Sequence, residues 1–198
     1  MRKLIAVLIL CGVASVGYAQ FYSAGKTSTT SEDFSRFELS VGAGQSFHRL
    51  EDHGSVKMLG HQKTFSGRLL FNVFPWLGVG VEGSTFGSHS FPGISHYKTR
   101  RYGVVVKESL APDTLPNSYL LAGFGVSKYT LDYTFNFQEK EKTNYWMFGA
   151  GVEMPLWRQV FLGVELQEFY HTHKSVGSFL RWDSNWETEL ALRAGVRF

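Results

Sequence analysis

The feature that most limits the fold of this chain is a two-residue alternation between apolar side chains and polar or small ones. In the segment 37–44 (FELSVGAG), each apolar residue is followed by glutamate, serine or glycine. The same alternation returns in 146–154 (WMFGAGVEM) and in 186–198 (WETELALRAGVRF). Successive side chains of a β-strand point to opposite faces, whereas the faces of a helix repeat about every 3.6 residues. The pattern therefore predicts an all-β chain.

Segments of this kind predict eight strands, at 36–47, 62–73, 77–87, 96–108, 118–131, 144–154, 159–172 and 186–198. The alternation does not define the register of the fourth and fifth of them. Tight turns occur at 74–76 and 155–158, and longer polar connections at 48–61, 88–95, 132–143 and 173–185. Because short and long connections alternate along the chain, we expect an all-β fold, an eight-stranded antiparallel up-and-down transmembrane β-barrel.

The two faces of the predicted strands differ in side-chain size, which indicates how the barrel is oriented. One set consists mainly of Leu, Val, Phe and Trp, and the other is rich in glycine and contains charged residues. The interior of an eight-stranded barrel is narrow, so the small and charged set fits the lumen and the bulky set fits lipid. A soluble β-sandwich or calyx would bury the bulky set instead. Alternation of lipid-facing and lumen-facing residues also explains a mean hydropathy of only −0.12.

The first residues of the chain indicate export. Residues 1–19 have the basic start, the apolar stretch and the small-residue cleavage site of a secretory signal peptide. Cleavage after Ala19 would remove the only cysteine, Cys11, so the mature chain would have no disulfide. Residues 20–35 are rich in serine and threonine without periodicity and are predicted to form a flexible leader. The barrel domain then occupies 36–198.

Charged residues on the glycine-rich face predict an ion-pair network in the lumen. Seven of them share this face: Glu38, Arg68, Glu82, Glu153, Glu165, Arg193 and Arg197. Unpaired charges in a narrow interior are costly, so we expect these side chains to pair and fill the lumen. The alternative is a narrow pore whose ion pairs rearrange to let solutes pass.

Aromatic residues near the ends of the predicted strands fit the interfacial girdles of a membrane barrel. The predicted girdle residues are Trp76, Trp157, Trp182 and Trp186, together with Phe74, Tyr129 and Tyr133. With the segment YLLAGFG at 119–125 and a last strand ending on Phe198, the chain resembles the OmpA/OmpX-like small outer-membrane barrels. The resemblance implies a place in the outer membrane of a Gram-negative-type cell, in contact with lipid and lipopolysaccharide. It also implies that the barrel-assembly machinery reads the C-terminal aromatic residue, Phe198.

An enzymatic alternative comes from a second resemblance. His173, Ser175 and Glu187 have a spacing similar to the His-x-Ser…Glu motif of the PagL-like lipid A deacylases, in which histidine is the base and serine the nucleophile. Val176 stands where that family has asparagine. Strand parity also places His173 and Glu187 on the inward face, whereas a lipid-cleaving site opens to the bilayer. We therefore predict no catalytic residues.

Neither a metal, a cofactor nor a nucleic acid is predicted as a ligand. All seven histidines fall in or beside the longer connections, and only His171 and His173 have a spacing typical of a ligand pair. The formal net charge of +3 is too small for a nucleic-acid-binding protein. The sequence thus predicts a monomeric, non-catalytic barrel with an envelope-structural or surface-interaction role.

Overall fold

A computed structural model describes residues 35–52, 55–86, 89–91, 94–110, 116–135, 137–157, 159–173, 180–182 and 185–198. The predicted signal peptide and almost all of the predicted leader lie outside the described residues. Ten strands are present: β1 Phe37–Asp52, β2 Ser55–Phe74, β3 Leu77–Phe86, β4 His89–Phe91, β5 Ile94–Ser109, β6 Asn117–Tyr133, β7 Gln138–Pro155, β8 Val160–His171, β9 Leu180–Trp182 and β10 Trp186–Arg197. Within the described ranges, no helix is long and apolar enough to cross a membrane.

The eight long strands form a closed antiparallel barrel, as the sequence predicted. Each long strand pairs with the next one along the chain, and β1 pairs with β10 to complete the circle. The short strands β4 and β9 add to β5 and β1. Beyond the last ladder pair, the backbones of Phe37 and Phe198 exchange two hydrogen bonds of 2.8 and 2.9 Å. Closure therefore leaves no open edge among the long strands.

The two faces of each strand separate as the alternation predicted. On the outer wall, Val41 and Leu192 are 63% and 67% exposed, while the inward Arg68 and Glu165 are at most 1% exposed. The lumen is not purely polar, however. A buried apolar cluster fills part of it: Leu70, Val105, Tyr119, Leu121, Tyr145, Met147 and Phe169.

Several strands extend well beyond their predicted ends. β2 has 20 residues and β7 has 18, so the prediction of long loops at 48–61 and 132–143 was wrong. In the extension of β7, the sequence QEKEK at 138–142 is polar at every position, so the hydropathy pattern ends while the backbone pairing continues. We call this side of the barrel the long-hairpin end. The opposite side, where β2 turns into β3 and where Phe37 meets Phe198, is the short-turn end.

The register of β5 and β6 is now defined. Gly103 pairs with Gly125, and Val105 with Gly123. Val105 points into the lumen and is 1% exposed, whereas its neighbours Val104 and Val106 lie on the outer wall. Three consecutive valines hid the alternation of β5 from sequence reasoning.

Candidate functional site

The candidate site is the lumen, where charged side chains from opposite walls meet in three tiers. We name them inner, middle and outer, from the short-turn end to the long-hairpin end. The inner tier contains Glu38, Lys107, Glu153 and Arg197; the middle tier Arg68, Glu82, Glu165 and Arg193; the outer tier Arg101, His171, Glu187 and Glu189.

The inner tier is a closed ring of two cations and two carboxylates. Lys107 Nζ lies 2.9 Å from Glu38 and 2.7 Å from Glu153. Arg197 completes the ring, with its Nε 3.1 Å from Glu38 and a second contact to Glu153. Asn117 Nδ2 donates at 2.7 Å to the Glu153 oxygen that Arg197 also contacts. Every carboxylate in this tier therefore has two cationic partners.

The middle tier also has two cations and two carboxylates, and it is more deeply buried. Arg68 binds Glu165 through two parallel hydrogen bonds of 2.8 Å, and its Nε donates to Glu82 at 2.6 Å. Arg193 lies 3.1 Å from Glu165 and 3.5 Å from Glu82. Tyr119 donates its hydroxyl to Glu165 at 2.8 Å. The bidentate geometry and full burial make these charge-assisted bonds strong, and they fix both side chains in place.

The outer tier has one arginine for two glutamates. Arg101 contacts both Glu187, at 3.3 Å, and Glu189. His171 Nε2 lies 3.1 Å from the second oxygen of Glu187, and Ser46 donates its hydroxyl to the first at 2.5 Å. The shortage of cations in this tier is therefore met partly by an imidazole and a hydroxyl group.

Aromatic rings complete the outer tier. The Arg101 guanidinium lies 3.6 Å from the centroid of the Phe169 ring and 4.4 Å from that of Phe86, an arrangement typical of cation–π contacts. The Tyr129 hydroxyl lies 3.2 Å from His171 Nδ1. Tyr129 is only 1% exposed, so its assignment to an interfacial girdle was wrong. Its ring points into the lumen because Tyr129 and the inward Ser127 share a strand parity.

All seven charged residues that the sequence placed on the inward face lie in the inner or middle tier. Sequence reasoning missed Lys107 and Arg101, because the valine run in β5 obscured their parity. It also missed Glu187 and Glu189 as network members, although both belong to the polar set of the last strand. For these two, the alternation itself contained the necessary signal.

The predicted girdle tryptophans lie at both ends of the barrel. At the short-turn end, Trp76 stacks on Phe74 with ring centroids 5.4 Å apart, and Trp157 is 78% exposed. At the long-hairpin end, Trp186 packs against Tyr170 with ring centroids 5.1 Å apart. Trp182 belongs to β9, and its side chain lies outside the described residues.

The residues of the enzymatic alternative have different surroundings. His173 follows the end of β8 and is exposed, so the parity that placed it inward was wrong. Its backbone N–H donates to Thr143 Oγ1 at 3.3 Å. The Glu187 carboxylate belongs to the outer tier, and Ser175 lies outside the described residues. In the part of the chain that the structure describes, no group of three or more His, Cys, Asp or Glu side chains has an arrangement that could hold a metal ion.

A closed eight-stranded barrel with an apolar outer wall and a charged, filled lumen defines a small transmembrane β-barrel. The chain belongs to the family described as outer membrane protein beta-barrel domain, whose model matches residues 8–198. It is therefore an outer-membrane barrel. No curated protein sequence matches the chain.

Solved structures agree on the fold. Neisserial surface protein A is 15% identical, with a TM-score of 0.63 over 84% of this chain and 100% of that one. The N-terminal β-barrel domain of Pseudomonas aeruginosa OprF is 12% identical, with a TM-score of 0.57 over 84% and 100%. Ail, the attachment invasion locus protein of Yersinia pestis, solved with the heparin analogue sucrose octasulfate, is 16% identical, with a TM-score of 0.51 over 82% and 99%.

Proposed function

We propose that this protein is a non-conducting, non-catalytic outer-membrane barrel with an envelope-structural or surface-interaction role. The observation that supports this role is the filling of the lumen by three tiers of charged side chains. Eight strands leave an interior only wide enough for side chains. Here that interior is occupied from the short-turn end to the long-hairpin end by groups that bind one another.

A rearrangement of these ion pairs would be costly, which argues against a gated pore. In the middle tier, the side chains of Arg68 and Glu165 are fully buried, and each has two or more charged or hydroxyl partners. Removing one partner from such a pair typically costs about 3–5 kcal/mol, because the other charge stays buried without compensation. A conducting state would have to break contacts of this kind in all three tiers.

Planar-bilayer recording tests the filled lumen directly. We expect the refolded wild-type barrel to show no steady conductance above the unmodified bilayer. Replacing both middle-tier arginines by alanine, Arg68→Ala with Arg193→Ala, should produce measurable conductance where the barrel remains folded by heat-modifiable gel mobility. Reproducible, stable conductance of the wild-type protein would refute the proposal and favour the narrow-pore transporter.

A second test concerns catalysis. We expect expression of the wild-type protein to leave the acylation pattern of lipid A unchanged in mass spectrometry. The Ser175→Ala variant should give the same pattern. A loss of acyl chains that depends on Ser175 would instead establish the lipid A deacylase alternative, with His173 and Glu187 as its partners.

The same proposal includes how the protein is exported and assembled and what it contacts in the membrane. We infer export through a signal peptide cleaved after Ala19, assembly by the barrel-assembly machinery with Phe198 as part of its signal, and a monomeric final state in contact with lipid and lipopolysaccharide. Outer-membrane barrels have short periplasmic turns and longer extracellular loops. On that basis the long-hairpin end is extracellular and carries the surface interactions.

A further inference from the structure

The outer wall carries a row of cations near the long-hairpin end. Arg100 on β5 pairs in register with Lys128 on β6, and Lys128 pairs with Lys142 on β7. All three side chains are exposed and point away from the lumen. One step further along the strands, Lys98 and Lys140 flank Thr130 in the same way. We call these five cations the basic row.

The basic row differs from the lumen cations in having no carboxylate partner within the part of the chain that the structure describes. Each lumen arginine or lysine contacts at least one glutamate. In contrast, none of the five cations of the basic row forms an ion pair with a carboxylate of the described residues. Like charges directly opposite one another on a sheet face are destabilising. An anion between three such residues on neighbouring strands would relieve this repulsion.

The depth of the basic row indicates which anion it meets. Toward the apolar band, the same three strands place aromatic rings on the outer wall within two outward positions of the row, where Tyr102, Phe124 and Trp146 are all at least 50% exposed. The ring centroids of Phe124 and Trp146 lie 5.8 Å apart, and Lys128 Nζ lies 5.5 Å from the centroid of the Tyr102 ring. Aromatic girdles mark the membrane interface. The cations thus lie at the level of lipid headgroups rather than in the hydrocarbon or far above it.

We propose that the basic row binds the phosphate groups of lipid A in the outer leaflet. This inference rests on the proposed orientation, with the long-hairpin end extracellular. Neighbouring strands are about 4.8 Å apart, so three paired positions span about 10 Å, a width that fits a phosphate-bearing headgroup. Arginine supplies a planar fork for phosphate oxygens, and the two lysines supply mobile point charges beside it.

The rest of the outer wall offers a matched control. Lys63 on β2 is also exposed and also lies one step beyond the apolar band, next to Phe65 on its strand. Its register partner on β1 is Gln45, so it has no neighbouring cation on that strand. Lys63→Gln and Lys128→Gln each remove one positive charge at a similar level, but only the second disrupts the basic row.

The test is native mass spectrometry of the refolded full chain, titrated with bisphosphorylated lipid A, with lipid A that has lost its phosphates, and with inorganic phosphate. We expect Arg100→Gln/Lys128→Gln/Lys142→Gln to weaken binding of bisphosphorylated lipid A by at least about tenfold. Lys128→Gln alone should weaken it by about threefold and Lys63→Gln by less than about 1.5-fold. Heat-modifiable gel mobility verifies that each variant is folded.

Three results would overturn the inference. They are equal affinity for phosphate-free lipid A, equal losses in Lys128→Gln and Lys63→Gln, and binding of inorganic phosphate as strong as that of the lipid, which would assign the row to a free anion. These outcomes do not depend on conductance. A conducting wild-type barrel would refute the filled lumen and leave the inference about the basic row intact. Equal binding of lipid A with and without phosphates would refute the inference about the basic row and leave the filled lumen intact.

Discussion

Replacing Arg68 by methionine is expected to lower the free energy of unfolding by about 3–5 kcal/mol. Arg68 is 1% exposed and neutralises both glutamates of the middle tier. Methionine fills a similar space without charge, so Glu82 and Glu165 would face each other with Arg193 as their only arginine. Equilibrium urea unfolding of the barrel refolded into lipid vesicles measures this loss.

The control for this prediction removes the partner charge as well. Because the penalty comes from an uncompensated buried carboxylate, Arg68→Met combined with Glu165→Gln should recover a large part of the lost stability. Lys63→Gln, on the outer wall, should change the free energy of unfolding by less than about 0.5 kcal/mol. A loss below about 1 kcal/mol for Arg68→Met would mean that the middle tier contributes little to stability.

Two glycines in one hairpin are expected to respond in opposite ways to alanine. A Cβ atom at Gly80, on β3, would clash with the backbone carbonyl oxygen of Leu69 on β2. Because that contact is with backbone, relief requires the two strands to separate, and we expect Gly80→Ala to lower the free energy of unfolding by about 2–3 kcal/mol or to prevent folding. A Cβ at Gly67, on β2, meets nothing within 4 Å.

Gly67→Ala therefore serves as the matched variant. The added methyl group would point to the outer wall. Because alanine has less backbone freedom than glycine in the unfolded chain, the free energy of unfolding should rise by about 0.5 kcal/mol. Urea unfolding and heat-modifiable mobility of the two variants, measured side by side, test the difference. Equal effects at the two positions would contradict the close approach of β2 and β3 at Gly80.

The regular alternation explains why so much of the fold was predictable. Where one face is glycine and glutamate and the other is valine and phenylalanine, as in β7, parity alone places each side chain inside or outside. The same rule located Glu38, Arg68 and Glu165 in the lumen. It works because a barrel strand repeats every two residues and each face meets a different environment.

The parts that were not predicted lie where that difference between the faces disappears. In β5, Val104, Val105 and Val106 suit either environment, so the inward positions of Arg101 and Lys107 were not visible. In the extension of β7, residues 138–142 are polar at every position and none of them is buried, so this stretch resembled a loop. His173 was misplaced for a related reason, since parity applies only as far as the strand continues, and β8 ends at His171.

The tiers also have a consequence for the order of assembly. Both carboxylate partners of Arg101 are on β10, and Arg68 on β2 depends on Glu165 on β8. These contacts join the first four long strands to the last two, over separations of 86 to 97 residues. A half-inserted sheet would bring such charges into hydrocarbon before their partners arrive. The lumen charges therefore penalise partly assembled intermediates, and we expect insertion and closure to be cooperative.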